Sequence, residues 1–398
     1  MFLLEYILPI RTIKNFIKLE SSAGIILFMA ALIAILVDNS FLSTYYERFL
    51  EFPLAIKVGE FELSKHMIHW INDGLMTIFF FMVGLEIKKE IVEGELNSPS
   101  KIFLPAIAAL GGMIVPALVF TLFNMDNDFS LRGWAIPTAT DIAFSLGILS
   151  LLGSRVPLSL KIFLTALAIF DDMGAIIVIA LFYNSEISLF ALFVSLSLLG
   201  GLFVMNKMKV ASLPLYLITG FILWLSVLNS GVHATLAGVA LAILIPLPVV
   251  KGLDKKLHPW VAYFVLPLFA FANAGVSLDD LPSGIGNLFS PVLLGISLGL
   301  LVGKLVGVFL TTFLVIKLGF VKMPTNATWP QVFGIALVCG VGFTMSFFVG
   351  TLAYPTGSSD LPYDAWVRLG VIFGSLTSAI SGYIVLRLTT KPKEDLIN

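Results

Sequence analysis

Cysteine is almost missing from this chain. Cys339 stands alone among 398 residues, so there is no disulfide framework and no thiol pair for a redox or metal centre, and it reads as a small packing residue. Charged residues are scarce as well, at 12%, and a net charge of −1 points to no nucleic-acid partner. There is no low-complexity segment and no stretch polar enough to form a soluble domain. What remains is apolar: 58% of residues are hydrophobic and the mean hydropathy is +1.00, the composition of an all-α polytopic membrane protein. In such a chain the location of each charge says more than the total.

Runs long enough to span a bilayer as helix recur with short polar breaks. The reading is about 12 transmembrane helices, at 21–37, 67–87, 103–123, 132–153, 158–183, 189–206, 212–228, 231–249, 259–276, 291–316, 330–353 and 365–387, in one transporter domain over 1–398. Arg11, Lys14 and Lys18 precede the first run as in a signal peptide. That run closes on Leu36-Val37-Asp38-Asn39 with no small-residue cleavage pattern, so an uncleaved helix is expected. Arg48, Lys57, Lys65, Arg132 and Arg368 fall on one side and Lys304 falls inside a span. Every other Lys and Arg falls on the side of the termini, so the positive-inside rule puts both termini in the cytoplasm. Residues 54–65 alternate apolar and polar about Gly59-Glu60. They read as a short external β-hairpin whose edge is a candidate homodimer contact, with an ordinary extended loop as the open alternative.

Four charges lie near the middle of their spans: Asp141, Asp171, Asp172 and Lys304. An ionisable group at that depth costs at least ~2.5–3.5 kcal/mol on insertion scales, which makes each a functional candidate. Mid-span positions are too far from either interface for snorkelling. Neighbours on a helix point about 100° apart, so Asp171 and Asp172 are expected to face different surroundings, one a neighbouring helix and the other an aqueous cavity. Lys304, the one cation inside a span, is the natural partner of the packed aspartate. Two carboxylates ~4 Å apart repel by roughly 4 kcal/mol at an effective dielectric of ~20, so such a site binds either protons or a small hard cation. That exclusion is what an antiporter requires.

Two spans are interrupted. Pro137 with Thr138 and Thr140 breaks the fourth, and Gly340 with Gly342 breaks the eleventh. These are the middle members of triplets at about 103–183 and 291–387, and interrupted helices in corresponding halves mark a transporter binding site between inverted repeats. Half-helix ends would face one another, Asp141 offsetting the positive ends and Lys304 the negative ones.

At these residues the sequence resembles the NhaA-type sodium/proton antiporter family, itself among the known inverted-repeat transporters. The resemblance is carried by WINDGLMTIFFFMVGLEIKKE at 70–90, AIPTATDIAFSLGILSLLGSRVPLSLKIFLTALAIFDDMGAI at 135–176, GVHATLAGV at 231–239, LHPWVAYFVLPLFAFANAGVSL at 257–278 and CGVGFTMS at 339–346. It implies Asp172 as principal ligand of the transported Na+, Asp171 beside it pairing with Lys304, and Thr140 and Asp141 where the two broken helices cross. It also implies electrogenic exchange of Na+ or Li+ for protons, alkaline activation, a bacterial inner-membrane location, and no cofactor. A pH-responsive cytoplasmic cluster maps onto Glu86, Lys89, Glu90, Asp254 and His258, with His233 a further match; a solvated charged flank is the plain alternative. Asp73 reads as satisfying a local donor. Where the family often has a second histidine, this chain has Lys255, a fixed charge where a switch would sit. A sodium-coupled symporter is the main alternative function. An intramembrane protease fits poorly, because its two aspartates must come from different helices and the Gly-x-Gly-Asp string is absent.

Overall fold

The structure, a computed structural model, describes residues 21–58, 61–93, 99–184, 187–277, 289–355, 359 and 361–390. The three N-terminal basic residues, the hairpin apex and the tail after Thr390 lie outside these residues. The path begins with α1 (Ser22–Asp38), then α2 (Ser43–Leu50), then strands β1 (Pro53–Val58) and β2 (Phe61–His66). The strands pair antiparallel with Pro53 opposite His66 and Val58 opposite Phe61. A wide π-helical stretch, Trp70–Leu75, leads into α3 (Met76–Val92), followed by α4 (Pro99–Asn124). A short helix Asp128–Leu131 runs into a 3-10 helix, Arg132–Thr138, before α5 (Ile142–Leu151), α6 (Leu158–Phe182), α7 (Leu189–Lys207), α8 (Leu213–Leu228) and α9 (Thr235–Leu244). The remainder comprises α10 (Leu253–Trp260), a π stretch Val261–Val265, α11 (Leu266–Ala274), α12 (Pro291–Leu298), a second π stretch Gly299–Gly303, α13 (Lys304–Lys317), α14 (Trp329–Val338), α15 (Phe343–Ala353) and α16 (Tyr363–Thr389).

The chain is an all-α multi-pass membrane protein. Among the described residues six helices are long and apolar enough to cross a bilayer, and three further helix pairs qualify when each bent pair counts as one path. Lipid offers no partner for a free peptide group, so the helical state is the one that satisfies these apolar runs.

Three features depart from the sequence reading. The run expected at 231–249 holds the ten-residue α9 and, after a break, most of a single helical turn, Leu247–Val250; α9 is about 15 Å of helix against a hydrocarbon core of about 30 Å. Gly231 at φ 84° turns the chain before it, and Pro246 and Pro248 prevent its continuation. Its carboxyl end is satisfied from outside, since Lys88 Nζ donates to the carbonyls of Ile243 at 2.7 Å and of Ile245. Second, α2 was not foreseen. It bends 115° from α1 and is pinned by Tyr46, whose hydroxyl donates to the Phe271 carbonyl at 2.6 Å. Third, none of the π stretches has a periodicity signature that separates it from ordinary helix.

Glycine lets α4 and α13 approach closely enough to carry Lys304 into the centre. A methyl group on Gly307 would collide with the carbonyl of Gly111, and one on Gly111 would collide with Thr311. One on Gly112 would stand 3.6 Å from Lys304 Nζ. The cost of enlarging such a contact is typically ~1–3 kcal/mol, and more where backbone is the obstacle. Gly307→Ala should therefore lower the melting temperature in detergent and Gly307→Val should prevent recovery of folded protein; unchanged melting for both would mean that the helices separate freely there.

Candidate functional site

Two interruptions meet at the centre of the bundle. The path from Asp128–Thr138 into α5 bends by 43°, and so does the path from α14 into α15. Pro137 has no amide donor to offer and the 3-10 turn ends one residue later, with Thr138 Oγ1 donating to the Ala135 carbonyl at 2.8 Å. Ala139 is then extended. On the other side Gly340 and Gly342 pass so near Leu300 and the serines of neighbouring turns that side chains there would clash.

The freed backbone groups are satisfied across the gap. Asp141 N donates to the Val341 carbonyl at 2.7 Å, Thr140 Oγ1 donates to the Cys339 carbonyl at 2.8 Å, and Ser346 Oγ donates to the Ile136 carbonyl at 2.7 Å. The Asp141 carboxylate caps two helices together. Its Oδ1 accepts from Phe144 N at 2.9 Å in α5, and its Oδ2 accepts from Thr344 N at 3.2 Å and Thr344 Oγ1 at 2.5 Å in α15. A negative group at a helix amino end is favoured by both the free N–H groups and the dipole, and here one carboxylate serves two such ends. Ser375 Oγ accepts from Gly342 N and Phe343 N, completing the cap.

The adjacent carboxylates of α6 have unequal surroundings. Asp171 Oδ2 is 2.5 Å from Lys304 Nζ and 2.6 Å from Thr140 Oγ1, whose single hydroxyl proton is shared between this carboxylate and the Cys339 carbonyl. Both members of the ion pair have fully buried side chains. Asp172 points elsewhere, as the helical rotation requires, and no basic side chain pairs with it among the described residues. Its Oδ1 and the Oδ1 of Asp171 are buried without a hydrogen-bond partner. The expectation that one aspartate faces an aqueous cavity does not hold in this conformation, because Asp172 is 2% exposed with α3, the Arg132–Thr138 turn and α14 packed on α6. Lys304 makes its ion pair with Asp171, while Thr140 and the Asp141 amide bond the Cys339 and Val341 carbonyls.

Glu86, Lys89, Glu90, Asp254, Lys255 and His258 line one cavity of about 360 Å³, beyond the apolar parts of their helices. Lys89 Nζ is 2.7 Å from Asp254 Oδ2. This hydrogen bond holds the Asp254 carboxyl below the usual carboxylate range and the Lys89 ammonium above the usual lysine range. His233, the further match from sequence, is not part of this cluster. The turn at Gly231 places it at the hairpin end, where it shares a cavity of about 400 Å³ with Lys65, His69, Asp73 and Arg368. Asp73 does satisfy a local donor there, lying 3.1 Å from Lys65 Nζ. Asp73 and Glu86 stand thirteen residues apart on one helical path, about 20 Å. The two cavities therefore lie toward opposite ends of the bundle.

Sequence reasoning overlooked Thr344, Ser375 and the reciprocal amide pair Asn72–Asn273. In that pair Asn273 Nδ2 donates to Asn72 Oδ1 at 2.8 Å, and Asn72 Nδ2 donates to Asn273 Oδ1 at 3.2 Å. The signal for Thr344 was a hydroxyl two residues after a glycine break; Ser375 and the amides carry none.

The chain matches the family described as Na+/H+ antiporter 1 over residues 14–386. It is 50% identical over 396 residues to Na(+)/H(+) antiporter NhaA 1 of Pseudomonas putida, covering 98% of this chain and 99% of that protein. It is 51% identical over 387 residues to Na(+)/H(+) antiporter NhaA of Sulfurovum sp., with 95% and 97% covered. Against Na(+)/H(+) antiporter NhaA of Mannheimia succiniciproducens the figures are 51% over 385 residues, with 95% and 99% covered.

Lys304→Gln leaves Asp171 buried without a counter-charge, a change that typically costs ~3–5 kcal/mol. The melting temperature of this variant in detergent at alkaline pH should fall well below that of the parent, and adding Asp171→Asn should restore part of the loss. Equal melting of Lys304→Gln and the parent would mean that the pair contributes nothing to stability.

Proposed function

As a member of the Na+/H+ antiporter 1 family, the chain is a transporter, and we propose that it exchanges cytoplasmic Na+ or Li+ for external protons at Asp172 and Asp171. The exchange is electrogenic and pH-regulated, with no resident cofactor. The observation that carries this reading is the unequal carboxylate pair: Asp171 held by Lys304 and Thr140, and Asp172 buried beside it without a cation. A buried carboxylate with an unpartnered oxygen is tolerable only if it binds a proton or a cation, and it cannot bind both at once. When Na+ occupies Asp172 the proton must leave, and when Na+ departs a proton takes its place. Electrogenic exchange needs a second proton per cycle, for which the Asp171–Lys304 pair is the nearest titratable group.

The finer architecture belongs to the same reading. About twelve passes cross the membrane, the short α9 counted as one; the triplets at about 103–183 and 291–387 are inverted repeats, the two interruptions cross at the bilayer midplane, and the protein resides in a bacterial inner membrane with both termini cytoplasmic. The hairpin end then faces outward, and the Glu86–His258 cavity is the cytoplasmic mouth. The exposed edge of β1 and β2 is the contact for a homodimer. Asp254 stays ionised where activation would occur, because Lys89 holds its proton affinity down. Proton sensing therefore rests on the central aspartates and His258, and the rest of the mouth sets the local potential.

Reconstituted in vesicles carrying an imposed proton gradient, the parent should dissipate that gradient on addition of Na+ alone, with no organic substrate. Asp172→Asn should abolish the response while remaining folded; sodium-driven proton movement in that variant would remove Asp172 from the site. A dependence on an organic solute would favour the symporter. Lys255→His should move the pH profile of exchange by less than about one unit, whereas Asp171→Asn should displace its midpoint or eliminate activity. A larger shift from Lys255→His would make the mouth the sensor.

A further inference from the structure

One large cavity belongs neither to the carboxylate site nor to the cavity lined by Glu86 and Asp254. It has a volume of about 970 Å³ and lies between the turn joining α5 to α6 and the loop leading into α14. α6 ends at Phe182, next to the hairpin-end cavity that Tyr183 lines, and its first turn is some 25 residues away, about 37 Å along the axis. The cavity thus sits at the end of the bundle opposite the hairpin, level with the termini of α6, α14 and α16. In a bilayer spanned by these helices, whose hydrocarbon core is about 30 Å thick, that end reaches the lipid headgroups.

Its lining has one sign of charge. Arg155 and Lys161 both reach it, half-buried, while none of the lining residues is an aspartate or glutamate. The mouth cavity at the same end is different, mixing Glu86, Glu90 and Asp254 with its lysines, so within a face that is rich in Lys and Arg this cavity is, among the described residues, the one whose lining lacks carboxylates. The walls are also built. Ser159 Oγ donates to the Thr325 carbonyl at 2.6 Å, joining the two loops. Gln331 accepts from Thr328 N at 3.1 Å and donates to the Thr389 carbonyl at 3.1 Å, tying the start of α14 to the end of α16. Asn326 takes a left-handed turn, φ 58°, between them. The first turn of the 25-residue α6 adds to the positive field, because its cap, Pro157, provides no side-chain acceptor.

We propose that this cavity binds a phosphate-bearing anion, with Arg155 providing a planar fork of donors and Lys161 a point charge. Anionic headgroups are held in this manner by basic pockets between helices on the cytoplasmic side of membrane proteins. A soluble phosphate has the same chemistry.

The test uses the full-length protein in neutral detergent, with melting temperature as the measurement. Inorganic phosphate and short-chain phosphatidylglycerol are titrated separately, against chloride at equal ionic strength and short-chain phosphatidylcholine. The parent should show a saturable rise with at least one of the two anions. A rise with inorganic phosphate identifies a soluble ligand, and a rise with phosphatidylglycerol alone identifies a lipid. The double variant Arg155→Gln, Lys161→Gln should weaken the apparent affinity at least tenfold, and the charge-preserving pair Arg155→Lys, Lys161→Arg should retain much of it. Lys209→Gln, in another loop, should leave it unchanged. Absence of a saturable rise with either anion, an undiminished rise in the double-glutamine variant, or an equal loss in Lys209→Gln would overturn the proposal.

Discussion

Two adjacent carboxylates on one buried helix share a single cation, and the rest of the molecule accommodates that imbalance. Asp171 takes Lys304 and Thr140, and Asp172 takes neither. At an effective dielectric of ~20 two bare carboxylates ~4 Å apart would repel by roughly 4 kcal/mol, so neutralising Asp171 makes a charge on Asp172 tolerable at all. A second lysine would fix Asp172 permanently and leave nothing to exchange. In the proposed exchange, the shortage of counter-charge is what makes the site usable.

The interrupted helices follow from the same need. A continuous helix presents only side chains, whereas an interruption frees peptide groups with partial charges of both signs at depth. Those charges would be costly if left bare. Asp141 caps α5 and α15 together, Thr140 bridges from the Cys339 carbonyl to Asp171, and Ser375 closes the amides of Gly342 and Phe343. Thr140 is thus bonded both to the break and to the ion pair, so movement of the α14–α15 interruption would be felt at Asp171. Packing sets the tolerances: the contacts of Gly111 with Gly307 and of Gly303 with Pro116 leave no room for a methyl group.

The centre of the molecule was the part most legible in the sequence. A charge inside an apolar run is conspicuous, and so is a proline or glycine pair where helix should continue; Asp141, Asp171, Asp172, Lys304, Pro137 and Gly340 were all visible for that reason. Rotation about the helix axis also separated Asp171 from Asp172 before any coordinates. Three-dimensional grouping was less accessible. His233 matched the pH-response residues only as a motif, and the fold places it toward the other end from the Glu86 cluster. The shortened α9 was hidden because its flanking turns are as apolar as a helix. Its carboxyl end depends on Lys88, distant in sequence. Residues that satisfy backbone groups, such as Ser375 and Asn273, look like any other small polar residue until the fold shows what they touch.

Competition between proton and cation for one site can be measured without transport. Na+ is added to the purified protein in weakly buffered detergent solution, and the protons released are counted against the Na+ bound. Mutual exclusion at Asp172 predicts that binding releases protons in stoichiometric proportion, that lowering the pH weakens Na+ affinity, and that Asp172→Asn loses both the binding and the release. Na+ binding to the parent with no proton release, at an affinity independent of pH, would contradict the account.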